Sequence, residues 1–217
     1  MSAFAHNEIH DALGDNDVDV EEIESLVRRD PLALSFRFGP RGDTPLHVAA
    51  RLGNAAAIRA LCEAKANPNA NDFRLNTPLH VAAAHNRVSC VDLLLSRGAN
   101  IEARNKDGLT PFLCSCSYGA VECMRALHER GAKVQSIKTK AGETAAHVAA
   151  VSGEVGALIL LEELGVDLHR AETRHRAAAA GYHECVDFLF SKPSITANVG
   201  LSCAAAQMYN TSQVNRL

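Results

Sequence analysis

Apolar residues recur along this chain in short clusters, separated by polar segments that contain Gly, Asn and Asp. Leu46, Ala49 and Ala50 are spaced so that they fall on one face of a helix. A second cluster follows each such helix, with two apolar residues at the i, i+3 spacing of a buried stripe. The pattern therefore predicts pairs of short helices joined by tight turns. The pairs in the second helices are Ile58 with Leu61, Val91 with Leu94, and Met124 with Leu127.

One motif marks the start of each helix pair. Thr-Pro-Leu-His-Val-Ala-Ala at 44–50 recurs at 77–83, and related sequences begin at Thr110 and Thr144. Thr is a preferred N-cap, and Pro fits the first helical position because its missing N–H has no partner there. A residue in the left-handed conformation should end each first helix. The candidates are Gly53, Gly119, Gly153 and Gly181, with Asn86 in the second unit.

These positions suggest a pair of substitutions. We expect Gly119→Val to be costly, because a β-branched residue cannot take the left-handed turn cheaply. By the same reasoning, Asn86→Gly should be neutral or stabilising.

The repeated motif and its spacing resemble the ankyrin repeat family over at least residues 36–190. The resemblance implies an all-α solenoid of stacked helix-turn-helix units with short, β-hairpin-like projecting turns. Leu75 stands where the other projecting turns carry glycine, so we expect a different turn in repeat 2. We predict N-terminal capping helices over 1–35, ankyrin repeats over 36–190, and a degenerate C-terminal capping repeat over 191–217. The repeats should start near Thr44, Thr77, Thr110, Thr144 and Glu172.

Repeat 5 departs from this pattern. Its motif begins at Glu172, only 28 residues after Thr144, so the projecting turn should be missing. Arg174 takes a position that is apolar in the other repeats, so its side chain should reach outward.

Composition and charge limit the classes of function that this chain can have. The 217 residues are 47% apolar and 22% charged, with a net charge of −3, which argues against bulk nucleic-acid binding. Residues 1–30 hold nine acids and two arginines (−7), and the other 16 acids and 20 bases give +4. Neither a signal peptide nor a membrane span is recognisable, and seven cysteines without framework spacing fit reduced thiols. We expect a monomer in the cytoplasm, or in both cytoplasm and nucleus, without nucleic-acid or membrane partners.

The recurring histidines could suggest a metal site. They occupy one repeat position, so successive rings should lie about 8–10 Å apart, whereas zinc requires every ligand nitrogen at about 2.0–2.1 Å. In the ankyrin family this histidine bonds to Thr and backbone groups, and we expect that structural role here. The histidines are His47, His80, His147 and His175, with Leu113 in the remaining repeat.

Other candidate chemistry is weak. Cys90, Cys123 and Cys185 share a position that is Ala in two repeats, which predicts small buried residues. The acidic segment 15–19 lacks the glycine and the glutamate of a calcium loop. Asn69 stands where ankyrin repeats can carry a hydroxylated Asn. No catalytic motif appears, so we predict no enzyme activity, no metal and no cofactor.

The family resemblance implies a protein-binding scaffold or adaptor. Its partner should contact the concave surface formed by the projecting turns and the outer part of the first helices. Bases outnumber acids on this strip, and it carries aromatic residues, so an acidic segment with apolar anchors is the expected partner. An alternative is a proteasome-assembly chaperone of the gankyrin type, and another is an inhibitor or regulator of an enzyme in trans. The predicted partner-binding residues are Arg41, Arg51, Leu52, Phe73, Arg74, His85, Lys106, Leu109, Tyr118 and Lys140.

Overall fold

A computed structural model describes residues 31–135, 139–168 and 171–191 together with Ser25. Ten α-helices, arranged as five successive pairs, make up most of these residues. A short 3₁₀ helix (Pro31–Ser35) precedes them. The predicted N-terminal helices and the degenerate C-terminal unit lie outside the described residues. The pairs are α1 (Pro45–Leu52) with α2 (Ala55–Glu63), α3 (Pro78–Ala84) with α4 (Val88–Ser96), α5 (Pro111–Ser117) with α6 (Val121–Glu129), α7 (Ala145–Ser152) with α8 (Val155–Glu163), and α9 (Ala171–Ala180) with α10 (His183–Ser191).

The helix pairs stack in chain order. Each first helix packs on the first helix of the next pair, from α1 through α3, α5 and α7 to α9, and the second helices form a parallel row. Apolar side chains from both rows fill the space between them, and Ile58, Leu94 and Leu127 are fully buried there. Alanines such as Ala49, Ala82 and Ala149 are equally buried, which allows close approach of the helices. The predicted all-α solenoid is confirmed.

The Thr-Pro-Leu-His motif starts the helices as predicted. Thr44, Thr77, Thr110 and Thr144 are extended N-cap residues, and each first helix begins at the next residue. In three repeats the Thr backbone N–H donates to Nδ1 of the motif histidine at 3.1 Å. In repeat 3 the Thr110 hydroxyl instead accepts from the N–H of Leu113. The Thr N-cap therefore forms in repeat 3 although Leu113 takes the place of the histidine.

A row of tight turns projects from the stack ahead of the first helices. We call these turns fingers 1 to 4, at residues 38–43, 72–76, 105–109 and 139–143. A backbone hydrogen bond closes each one, and others join neighbours: the N–H of Phe73 donates to Arg41, that of Lys106 to Arg74, and that of Lys140 to Asp107. The fingers thus form one continuous edge, which limits their independent movement.

Finger 2 corrects the expectation for Leu75. This residue adopts the left-handed conformation (φ 60°) that Gly108 adopts in finger 3 (φ 79°). Its N–H closes the turn onto Asp72 at 3.1 Å, as Gly108 closes its own turn at 3.0 Å. The Asp72 carboxylate also accepts the N–H groups of Arg74 and Asn76 at 2.7 Å each, which holds the turn despite the strain at Leu75.

Asn86 ends α3 in the left-handed conformation, as predicted (φ 56°). Its side chain, however, has a second role. The Oδ1 atom accepts the N–H of Cys123 at 3.0 Å, and the Nδ2 group donates to the Glu122 carboxylate. Asn86 of repeat 2 therefore caps α6 of repeat 3. The structure therefore revises the expectation for Asn86→Gly, because glycine would keep the turn but lose the cap.

Repeat 5 has the shortened connection that its sequence predicts. Helix α9 begins at Ala171, three residues after Leu168, which leaves no room for a finger. This early start puts His175 inside the helix and exposed to solvent, so its predicted capping role was wrong. Arg174 is half-buried, and its guanidinium carbon lies 5.4 Å from the centroid of the exposed Phe190 ring.

Candidate functional site

A groove runs between the fingers and the first helices. Its floor carries one residue per repeat from the fourth position of the first helix: Val48, Val81, Cys114 and Val148. We use the term groove for this floor with its two rims. The finger rim carries Arg41, Arg74, Lys106 and Lys140. The helix rim, at the ends of the first helices, carries Leu52, His85 and Tyr118 at equivalent positions and, one position earlier in repeat 4, Val151.

The structure brings together most of the predicted partner-binding residues. Leu109 borders both of the larger cavities in the groove, Lys106 and Lys140 border the cavity at repeats 3 and 4, and Leu52 and Phe73 border neither. Leu52 nevertheless occupies the helix position of His85 and Tyr118 in its own repeat. The remaining predicted residues border the cavity at repeats 1 to 3: Arg41, Arg51, Arg74, His85 and Tyr118.

Phe73 lies against the neighbouring finger. A Cβ atom on Gly42 would come within 2.8 Å of the Phe73 ring, so the ring covers that glycine. The guanidinium carbon of Arg37 lies 5.5 Å from the centroid of the Phe73 ring, which is a cation–π contact. Phe73 remains 53% exposed. It therefore joins fingers 1 and 2 and still offers apolar surface.

Ion pairs divide the bases of the groove into two groups. Asp43 pairs with Arg51, Asp107 lies 3.2 Å from the Arg74 guanidinium, and Glu143 pairs with Arg176 of α9. Arginine thus neutralises Asp43, Asp107 and Glu143, whereas the buried Asp72 of finger 2 accepts two backbone N–H groups and the Asn76 amide instead. Within the part of the chain that the structure describes, the other finger-rim bases have no carboxylate partner: Arg41, Lys106 and Lys140. The groove consequently presents unpaired positive charge at repeats 1, 3 and 4.

Burial and this positive charge both affect the pKa of His85. Partial burial lowers the pKa of its imidazole below the ordinary value, and the nearby guanidinium groups of Arg51, Arg87 and Arg41 lower it further. The ring is therefore neutral at pH 7. In repeat 3, Tyr118 takes the same position and is 66% exposed, the largest value among the exposed apolar and aromatic side chains of the described residues.

The fingers are held by a buried polar network that sequence reasoning missed. Asn105 accepts the N–H groups of Asp107 and Leu109 at 3.0 Å each, and its amide donates to Asn76 Oδ1 at 2.9 Å. Asn76 in turn donates to the Asp72 carboxylate at 2.8 Å. The only sequence signal was a polar side chain at equivalent positions of fingers 2 and 3. The network fixes the finger rim on which the bases stand.

The motif histidines have structural partners. The Nε2–H of His47 donates to the carbonyl of Asn76 at 2.8 Å, and that of His80 donates to the carbonyl of Leu109 at 3.0 Å. Each ring thus ties a first helix to the next finger. Burial lowers the pKa of His80 to about 4, which keeps the ring neutral. Over the described ranges, no group of three or more His, Cys, Asp or Glu side chains could hold a metal ion.

The cysteines of the core are unreactive at neutral pH. Desolvation raises the pKa of Cys90 to about 11 and that of Cys114 and Cys123 to about 12, and it raises that of Cys116 further. Cys90, Cys123 and Cys185 are fully buried at equivalent positions, as predicted. A thiolate nucleophile is therefore not formed at these positions.

Asn69 joins two repeats. Its amide donates to the carbonyl of Gly98 at 3.0 Å, and its Oδ1 accepts the N–H of Asn100 at 2.7 Å.

No helix among the described residues has the length and hydropathy required to cross a membrane.

Stacked helix pairs with a row of projecting fingers define the class of helical repeat solenoids. A family model for ankyrin repeats, in three copies, matches residues 9–105 and 100–172. The chain belongs to the ankyrin repeat family. Such repeats typically mediate protein–protein interactions and are generally non-catalytic. Among curated proteins, none matches this chain significantly.

Proposed function

We propose that this protein is a non-catalytic adaptor that binds another protein through the groove. The observation that carries the proposal is that Arg41, Lys106 and Lys140 on the finger rim have no carboxylate partner within the described residues. They face an exposed helix rim that includes Tyr118. Tyrosine and arginine are enriched among the residues that contribute most to binding, and Tyr118 contributes little packing to the fold. The family makes a protein partner the expected ligand.

The charge distribution supports an acidic partner segment with apolar anchors. Arg41, Lys106 and Lys140 have no carboxylate partner within the described residues, so a partner carboxylate would not have to displace an internal ion pair. The exposed Tyr118 and Leu52 offer apolar contact on the facing rim. In this proposal repeats 1 to 4 bind the partner, and repeat 5 and the predicted cap over 191–217 close the core, because repeat 5 has no finger.

The test compares groove variants with variants on the opposite face. Wild-type protein and four variants are used to recover partners from native cells, and the affinity for the recovered partner is then measured. Lys106→Glu and Tyr118→Ala should each weaken binding by about 1–3 kcal/mol. Arg59→Glu and Ile159→Ala should leave it unchanged, since both residues are exposed on second helices.

Melting temperatures of all four variants serve as the folding control. Since each changed side chain is exposed, we expect them to match that of the wild-type protein. If Arg59→Glu or Ile159→Ala abolishes binding while the groove variants bind normally, the partner uses the second-helix face and the proposal is wrong.

A further inference from the structure

Leu75 in finger 2 combines a strained backbone with an exposed apolar side chain. The corresponding residues of the other fingers are Gly42, Gly108 and Gly142, and all four have a positive φ. Leucine is less stable than glycine in this conformation, because its Cβ atom comes too close to the backbone carbonyl oxygen. The Leu75 side chain is 41% exposed and is not among the apolar side chains that pack against the core of the described residues. Core packing therefore does not explain the leucine.

Phe73 adds a second exposed apolar side chain to the same finger. It stands at the position of Pro40, Lys106 and Lys140 in the other fingers, and it too lies outside the core of the described residues. We call Phe73 and Leu75 the fingertip patch. Among the four described fingers, only finger 2 has large apolar side chains at both positions. Exposed apolar side chains within a charged surface are typical of protein interaction sites.

Arginines surround the fingertip patch. The Arg37 guanidinium lies over the Phe73 ring, and the N–H of Phe73 donates to the carbonyl of Arg41 at 2.9 Å. Within the described residues, neither arginine has a carboxylate partner. Arg74 is paired with Asp107, but both side chains are more than half exposed, so this ion pair contributes little stability. These surroundings favour a ligand that has a carboxylate next to an apolar group.

The fingertip patch is continuous with the groove. Arg41 and Arg74, on either side of Phe73 along the finger rim, border the cavity at repeats 1 to 3. Two buried acids also border this cavity, but Asp43 pairs with Arg51, and Asp72 accepts N–H groups of its own turn. A segment bound in the groove can therefore extend over finger 2 and meet the exposed arginines there.

We propose that Leu75 is a specificity-determining contact for the protein that binds the groove. The fingertip patch takes a large apolar side chain of that partner, and a carboxylate within two residues of it pairs with Arg37 or Arg41. This inference rests on the proposed function and adds a contact outside the groove. The backbone strain at Leu75 then has a function, because the leucine contributes to binding and not to stability. The requirement is for one side chain and one neighbouring charge, so a helical or an extended segment can satisfy it.

The test uses random 16-residue peptides displayed on phage and selected on the full wild-type chain. Selected peptides are labelled with fluorescein, and fluorescence anisotropy measures their affinities for the variants. We expect the selected sequences to share a large apolar residue with Asp or Glu within two positions. Leu75→Gly and Leu75→Asn both suit the left-handed turn and should reduce affinity about fivefold to tenfold. Leu75→Met keeps an apolar side chain and should reduce it less than about threefold.

The melting temperature distinguishes a binding role of Leu75 from a structural one. Leu75→Gly should raise the melting temperature by up to about 4 °C while it weakens binding. The control Ile159→Ala removes an exposed apolar side chain from a second helix and should change affinity less than about twofold. A lower melting temperature for Leu75→Gly would assign the leucine to packing and overturn the inference.

The groove variants Lys106→Glu and Tyr118→Ala separate this inference from the proposed function. Peptides that lose affinity with these variants but bind Leu75→Gly normally would overturn the fingertip contact and leave the groove as the binding site. Peptides that bind every variant normally, or a selection that gives no binder, would count against both. Sedimentation with vesicles of phosphatidylserine and phosphatidylcholine tests a membrane ligand. Vesicle binding that is lost in Leu75→Gly would assign the patch to a lipid surface and overturn the protein contact.

Discussion

Protonation of His80 should destabilise this protein as the pH falls from about 6.5 towards 4, because burial lowers the pKa of the folded-state ring. The ring is buried and uses both nitrogens: Nδ1 accepts the N–H of Thr77 at 3.1 Å, and Nε2–H donates to the carbonyl of Leu109 at 3.0 Å. A proton on Nδ1 would face the N–H that it now accepts. Burial is the main reason that the pKa falls from 6.5 to about 4, against a smaller opposing contribution from the bond to Leu109.

The sign and magnitude follow from the two pKa values. The unfolded chain binds the proton near pH 6.5, whereas the folded chain does not bind it until about pH 4. Stability from the neutral ring is therefore complete above about pH 6.5, decreases as the pH falls towards 4, and decreases no further below that. Between pH 7 and pH 5 the loss is about 2 kcal/mol. Desolvation lowers the pKa of His47 as well, so that residue adds to the loss.

The assay is urea unfolding followed by far-ultraviolet circular dichroism at pH 7, 6 and 5. The informative variant is His80→Leu, because repeat 3 already carries Leu113 at this position and forms the same helix. The variant should be less stable at pH 7, since it loses two hydrogen bonds, but its stability should depend less on pH. The exposed His175 provides the control His175→Gln, which should keep the wild-type dependence. An undiminished pH dependence in His80→Leu would refute the reasoning.

Three further predictions concern single side chains. Asn86→Gly should lower stability by about 1 kcal/mol in thermal unfolding, because the cap on Cys123 is lost; an unchanged melting temperature would show that the cap contributes nothing. Leu75→Gly should raise stability by up to about 1 kcal/mol, since glycine takes a φ of 60° without strain; a lower melting temperature would show that the exposed leucine packs usefully. An acidic ligand near His85 should raise the low pKa of that ring, so calorimetry should find proton uptake on binding and an affinity that rises as the pH falls from 7 towards 5; His85→Gln should remove both effects.

The helices and their caps could be predicted because the signals are local. Thr77, Pro78 and His80 lie within four residues, and their hydrogen bonds close within the same turn. A motif of this kind specifies its own geometry, and its recurrence fixes the register of the stack. The same reasoning failed for His175, because α9 begins ahead of the motif, so Glu172 lies within the first helical turn and is not an N-cap residue preceding the helix.

The groove could be located from the register, but its charge could not. Residues 33 apart occupy equivalent places in neighbouring repeats, so Arg74 and Asp107 were expected on adjacent fingers. Whether they pair depends on rotamers and on the exact approach of the fingers, which the sequence does not encode locally. The same limit hid the contact from Asn86 to Cys123, which joins residues 37 apart.

Equivalent positions in the different repeats of this chain differ in how strongly helix packing constrains them. Where a side chain packs between helices, every repeat faces the same neighbours, so the position holds Ala or Cys throughout, as at Ala57, Cys90 and Cys123. The helix-rim position has no such neighbours, and it carries Leu52 in repeat 1, neutral His85 in repeat 2 and Tyr118 in repeat 3. Stacking therefore leaves this position unconstrained, and its side chain can differ from repeat to repeat without disturbing the core. A ligand that spans repeats 1 to 4, as the proposed function requires, would contact these different side chains in a fixed order.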